Sequence, residues 1–120
     1  MADEVGLEVE RTDSYTVLSA TGYLDVSTSP RLRERIHELV AGEKPRVLFL
    51  DLGAIEFLDS SALGVILNGW KLMHAEGATL AIVSPQPRIT KIFEITALNL
   101  SMGIYASLDE ARADLGLAGS

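Results

Sequence analysis

Apolar and polar residues change period along this chain, and the changes mark its elements. Leu7-Glu8-Val9-Glu10 alternates strictly, the signature of a strand with one buried face. Thr12-Asp13-Ser14 supplies turn chemistry, and Tyr15 to Ala20 is β-rich enough to pair back as a hairpin. Gly22 interrupts the pattern. Asp25 to Pro30 reads as a polar loop, with Ser29 as the cap of a helix whose first residue is Pro30. Leu32, Ile36, Leu39 and Val40 then recur at helical spacing as far as Ala41, and Gly42 is a natural stop. Val47 to Leu52, with Asp51 near its end, is otherwise a continuous apolar run, as in a strand buried on both faces.

Asp59-Ser60 precedes a second helix, Ser61 to Glu76, whose inward stripe is predicted as Leu63, Ile66, Leu67, Trp70 and Met73. Gly77 ends it. Ala78 to Val83 predicts another buried strand, and Pro85 to Thr96 a third helix with Ile89, Ile92, Phe93 and Thr96 on one face. Ile104-Tyr105 is a last short strand. Ser107-Leu108-Asp109-Glu110 has capping-box spacing and opens a final helix through Leu115. The order is β-β-α-β-α-β-α-β-α. Strands alternating with helices need crossovers, so the fold class is α/β: a mostly parallel sheet of about five strands with about four helices, made mixed by the first hairpin. One domain is expected over residues 1–120, with its core at about 7–115 and loose ends at Met1 to Gly6 and Ala118 to Ser120.

Charge narrows the function classes. Ten Lys and Arg against 17 Asp and Glu give a net charge of −7, and no local basic patch offsets it, so direct nucleic-acid binding is not expected. The uncharged apolar stretch Ser60 to Trp70 is too short to span a bilayer, so no membrane insertion is expected either. Met1-Ala2-Asp3-Glu4 lacks the basic-then-apolar order of a signal peptide, and cysteine is absent, which removes disulfides and thiolate metal sites. A cytoplasmic domain is the expectation.

Candidate chemistry is sparse. His37 and His74 lie in predicted helices among charged residues and read as exposed helix positions. Neither a nucleophile elbow nor a glycine-rich phosphate loop occurs. Asp25, Asp51 and Asp59 offer carboxylates to a hard cation, but helix capping and turn formation explain each one alone. The segment Phe57-Leu58-Asp59-Ser60-Ser61-Ala62-Leu63-Gly64 is different, because an acidic residue and two hydroxyls stand where the chain enters a helix. Asp59 or Ser60 can cap that helix. The same N-terminus, with its unpaired N–H groups and positive dipole end, also tolerates a phosphate. Phosphorylation there would add about −1.5 to −2 charges beside Asp59 and Asp25. Ala62, Val65 and Leu72 lie off the predicted inward stripe, and either pack on a neighbouring helix or form a partner surface. A hydrolase using Ser60 as nucleophile lacks an identifiable base.

At these residues the chain resembles the STAS family, and more narrowly the bacterial anti-anti-sigma factors, or anti-sigma factor antagonists. The resemblance runs from about Leu7 to Leu115. Asp59-Ser60-Ser61-Ala62-Leu63-Gly64 is similar to the family's D-S-S-G/A-L-G phosphorylation motif. Gly22-Tyr23-Leu24-Asp25 is similar to its G-E-L-D loop, with Tyr23 where the family usually has Glu. Ser84-Pro85, Thr96-Ala97-Leu98 and Ser107-Leu108-Asp109-Glu110-Ala111 match its tail. The resemblance implies a non-enzymatic domain without cofactor or metal. It implies binding, in the unphosphorylated form, to an anti-sigma factor with serine kinase activity, which frees a sigma factor. Ser60 would be the phosphorylated residue, and a metal-dependent serine phosphatase would reverse the mark. Carried over by position, Asp25, Asp59, Ser60, Ser61, Ala62 and Val65 would face the partner. The rival within the family is a STAS subunit of a transport or stress-sensing complex with no sigma-factor role.

Overall fold

The central strands carry apolar residues on both faces, and the computed structural model, which describes residues 5–117, shows what each face meets. β1 (Val5–Arg11) and β2 (Thr16–Leu24) form the expected hairpin, with Leu7 opposite Ala20 and Arg11 opposite Thr16. There follow α1 (Ser29–Ala41), β3 (Val47–Leu58), α2 (Ser60–Ala75), β4 (Thr79–Val83), α3 (Pro87–Ile95), a 3-10 turn at Leu98–Leu100 that the sequence did not announce, β5 (Ile104–Tyr105) and α4 (Leu108–Leu115). The five-stranded sheet runs β1-β2-β3-β4-β5, with β1 antiparallel and β2 to β5 parallel. The predicted element order and mixed, mostly parallel sheet are what the molecule has.

Right-handed crossovers that all advance the sheet in one direction leave their helices on one face. Accordingly Leu18, Leu48, Leu50, Leu52, Leu80 and Ile82 meet Leu32 and Ile36 of α1, Ile66 and Met73 of α2, and Ile89 and Phe93 of α3 in one large core. The alternate residues Val17, Phe49, Ala81 and Val83 point the other way and form a smaller core with Tyr15 and Ala111 of α4. The period of two therefore sorts each strand between two cores, which is why β3 and β4 read as continuous apolar runs. Tyr15 meets Phe49 edge-on, with ring centroids 5.4 Å apart. The Tyr105 hydroxyl donates to Asp114 Oδ2 at 2.6 Å, fastening α4 to β5.

Several boundaries move, each for a local reason. β2 continues past Ala20 to Leu24 and β3 past Leu52 to Leu58. Their pairing shifts register twice, between Ser19 and Thr21 and between Gly22 and Tyr23, and each shift gives β3 one extra residue. Such bulges break the alternation that marks a strand in sequence. Ser29 is not the cap of α1 but its first residue, and it is buried. Thr28 holds the cap position without capping, since its Oγ1 accepts instead from Asp25 N at 2.9 Å while donating to Tyr23 O at 2.7 Å. α3 begins at Pro87, two residues later than expected, because Ser84 turns the chain with φ +60° and leaves Gln86 at the cap. Val5 and Gly6, expected to be loose, are strand residues, while residues 1–4 and 118–120 lie outside the described chain.

The stripe of α2 is also rotated from the expected one. Its buried residues are Ala62, Ile66, Gly69 and Met73, and Leu63, Leu67 and Trp70 pack at the margin of the core. Small residues decide this. A Cβ on Gly69 would stand 3.1 Å from Ile36 Cγ2 and 3.4 Å from Leu80 Cδ1, so the glycine sits where α1 and β4 press closest on α2. Hydrophobic periodicity weights large residues and does not see a glycine as core.

Candidate functional site at the carboxyl ends of β2 and β3

Leu24 and Leu58 are register partners at the ends of adjacent parallel strands. The residues that follow them, Asp25 and Asp59, therefore leave the sheet side by side, and the Asp59 N–H donates to Leu24 O at 3.0 Å. This is the carboxyl edge of the sheet, where open α/β folds place their binding loops. Two of the separate motifs in the sequence, the Gly22–Asp25 segment and the Asp59–Gly64 segment, are thus neighbours in space.

Asp25 organises its own loop. Its Oδ1 accepts from Ser27 N at 2.9 Å, Ser27 Oγ at 2.7 Å and Thr28 N at 3.1 Å. The Ser27 hydroxyl is the main reason its carboxyl titrates below the ordinary value, with the Ser27 and Thr28 N–H groups adding to the effect. Bonds to the charged form favour the charged form. Asp59 is the true cap of α2. Its backbone is extended (φ −111°, ψ −176°), and its Oδ1 accepts from Ala62 N at 3.1 Å. The choice the sequence left open between Asp59 and Ser60 is settled by this bond.

Ser60 is the first residue of α2 and is exposed, whereas Ser61 is half-buried. The two adjacent hydroxyls thus differ in access. Ala62 is fully buried in the large core, which corrects its placement on an outward surface: it stands one helical turn before Ile66, on the face of α2 that meets the sheet. Val65 is half-buried and Leu72 is 36% exposed. Ser61, Gly64, Val65 and Asn68 line a shallow groove against Arg33 and His37 of α1, bridged by His37 Nε2 and Asn68 Oδ1 at 3.2 Å. A Cβ on Gly64 would meet nothing within 4 Å.

The other candidates separate from this edge. Asp51 lies lower on β3, its Oδ1 accepting from Gly53 N at 2.9 Å. No group of three or more His, Cys, Asp or Glu among the described residues is arranged to hold a metal ion. His74 is stacked on Trp70, centroids 4.7 Å apart, at the far end of α2. No helix among the described residues is long and apolar enough to cross a membrane.

Sequence reasoning missed two features here. Gln86 reaches back so that its Nε2 donates to Gly53 O at 3.2 Å and Ile55 O at 3.1 Å, serving carbonyls on β3 beyond the last residue that β4 pairs. Tyr23 and Phe57 stand side by side, ring centroids 6.1 Å apart, with 41% and 46% of their surface exposed. Nothing in the sequence reports this pairing, because it depends on the second bulge.

A STAS domain family model matches residues 6–111. The chain is 28% identical over 109 residues to the anti-sigma F factor antagonist of Paenibacillus polymyxa, covering 91% of this chain and 93% of that one. An anti-sigma factor antagonist from Mycobacterium paratuberculosis superposes with a TM-score of 0.86 at 29% identity, over 95% of this chain and 96% of that one. The Bacillus cell fate determinant SpoIIAA in its phosphorylated form shares the fold, with a TM-score of 0.71 at 22% identity over 92% and 99% of the two chains. The matched span takes in the hairpin, all three crossovers and the edge where Asp25 meets Asp59, and on that extent the chain belongs to the STAS domain family.

Proposed function

We propose that this chain is an anti-sigma factor antagonist: a binding module, without catalytic chemistry of its own, switched by phosphorylation of Ser60. The bare form engages an anti-sigma factor with serine kinase activity through Asp25, Asp59, Ser60, Ser61 and Val65, and so releases a sigma factor. Ala62 has no part in that surface, being buried. The observation that carries the proposal is the position of Ser60, exposed on the first turn of α2, directly after the capping carboxylate of Asp59 and outside both cores. The names of the relatives support the same reading.

The kinase would transfer the γ-phosphoryl group of ATP to Ser60 Oγ. The bond from Pγ to the bridging oxygen breaks, ADP leaves, and the hydroxyl proton is released. A metal-dependent phosphatase would hydrolyse the ester to serine and inorganic phosphate. The added charge falls beside Asp59 and Asp25 of this chain, and repulsion from these carboxylates together with the cost of stripping water from the phosphate in a closed contact weakens docking. A tenfold loss of affinity needs only about 1.4 kcal/mol.

Ser60→Ala should fold normally, bind the anti-sigma factor constitutively and take no phosphate. Ser60→Asp should fold normally and bind at least about tenfold more weakly. Ser61→Ala should still be phosphorylated. Titration calorimetry with the anti-sigma factor and mass spectrometry after kinase treatment check these outcomes. Phosphate found on Ser61 alone, or a phosphorylated protein that binds undiminished, overturns the proposal.

A further inference from the structure

The bare aromatic pair at Tyr23 and Phe57 serves neither core. Alternation along β2 puts Val17, Ser19, Thr21 and Tyr23 on the sheet face opposite α1, α2 and α3. On that face the side chains gathered around α4 are Tyr15, Val17, Phe49, Ala81 and Val83, which leaves the carboxyl ends of β2 and β3 uncovered. There the second bulge acts. Ile55 pairs with Gly22 and Phe57 with Tyr23, so Glu56 is an extra residue that sets Phe57 beside Tyr23. A bulge re-aims the side chains that follow it, and without this one Phe57 would change faces.

The same face is acidic. Glu8 and Glu10 of β1 and Asp51 of β3 lie on it, and the described residues of β1, β2 and β3 place no lysine or arginine there. Arg11 alternates to the opposite face and is paired with Glu43 at 2.6 Å. A second copy of this chain docked through the same face would set one acidic surface against another, and nucleic acid would be repelled in the same way. The charge fits a basic protein surface. Phe57 also stands three residues before Ser60, and Tyr23 two before Asp25, so the patch is continuous with the edge described above.

We propose that this bare half-face extends the docking surface of the anti-sigma partner. The partner seats an apolar side chain against the Tyr23 and Phe57 rings and sets lysine or arginine side chains toward Glu8 and Asp51. This rests on the reading of the Ser60 edge as a partner site, and supplies the partner chemistry that the edge alone does not specify.

The test uses the full chain against each serine-kinase anti-sigma factor encoded in the source genome, purified singly, with binding measured by titration calorimetry at two salt concentrations. The double variant Tyr23→Ser with Phe57→Ser should lose at least about tenfold in affinity. Glu8→Lys should lose about threefold, and wild-type affinity should fall as salt rises. Circular dichroism should be unchanged and both variants should remain fully folded at the assay temperature, since none of the three side chains belongs to either core. If wild type binds in a Ser60-dependent way and the double variant binds equally well, this inference fails and the Ser60 reading stands. Salt-insensitive binding, or a wild-type dimer that the double variant abolishes, overturns it as well. If no member of the set binds wild type, both readings fall.

Discussion

Ser27 sets the acidity of its neighbour. Its hydroxyl, 2.7 Å from Asp25 Oδ1, is the largest influence holding that carboxyl below 3.8. Ser27→Ala should therefore raise the Asp25 midpoint toward 3.8, read from its carboxyl carbon in an NMR titration. A carboxyl whose folded pKa is depressed contributes stability above its unfolded pKa, and that contribution disappears as pH falls through the folded value. The wild-type loop should thus hold its geometry to a lower pH than the variant does. Asp59 differs in kind, since its carboxylate serves the helix that follows. Both residues were visible in the sequence as turn and cap chemistry. What the sequence left out was their adjacency, which only the pairing of Leu24 with Leu58 creates.

Two glycines in α2 give the same substitution opposite outcomes. Gly64 faces open space, so Gly64→Ala should stabilise by about 0.5–1 kcal/mol, the ordinary helical preference for alanine. Gly69 lies against Ile36 and Leu80, and an added methyl there must push them aside. Overpacking costs about 1–3 kcal/mol, which outweighs the gain in propensity, so Gly69→Ala should destabilise. Urea midpoints of the two variants should move in opposite directions from wild type. The pair also explains which parts of the fold were legible in the sequence. Elements that obey one period from end to end, such as α1 and β4, appeared nearly at their observed bounds. Where small residues set the contact, as at Ala62 and Gly69, the stripe was misplaced. Where bulges break the period, as in β3 after Leu52, half a strand was missed, and with it the Tyr23–Phe57 pair.

The molecule as a whole is closed by its last helix. Tyr105 and Asp114 hold α4 to the sheet, and the bond to Asp114, with desolvation behind it, pushes the Tyr105 phenol up from 10.0 to about 12. A raised tyrosine pKa favours the protonated form in the folded state. The contribution to stability is present below 10.0 and lost as pH rises toward about 12. Asp114→Asn should bring the ionisation of Tyr105 back toward 10.0, followed by its ring resonances, and should remove that alkaline limb from the stability profile. Sheet order gives a different consequence. Each strand lies next to the one made just before it, β1-β2-β3-β4-β5, so a chain leaving the ribosome never has to hold a strand in reserve for a partner still unmade. The large core can assemble in step with synthesis. The smaller one cannot, because Val17, Phe49, Ala81 and Val83 wait for Ala111 of α4, which is made only after all five strands. Until α4 has been made, the nascent sheet carries one unclothed apolar face, and a message truncated after β4 would yield a product with that face permanently open to aggregation.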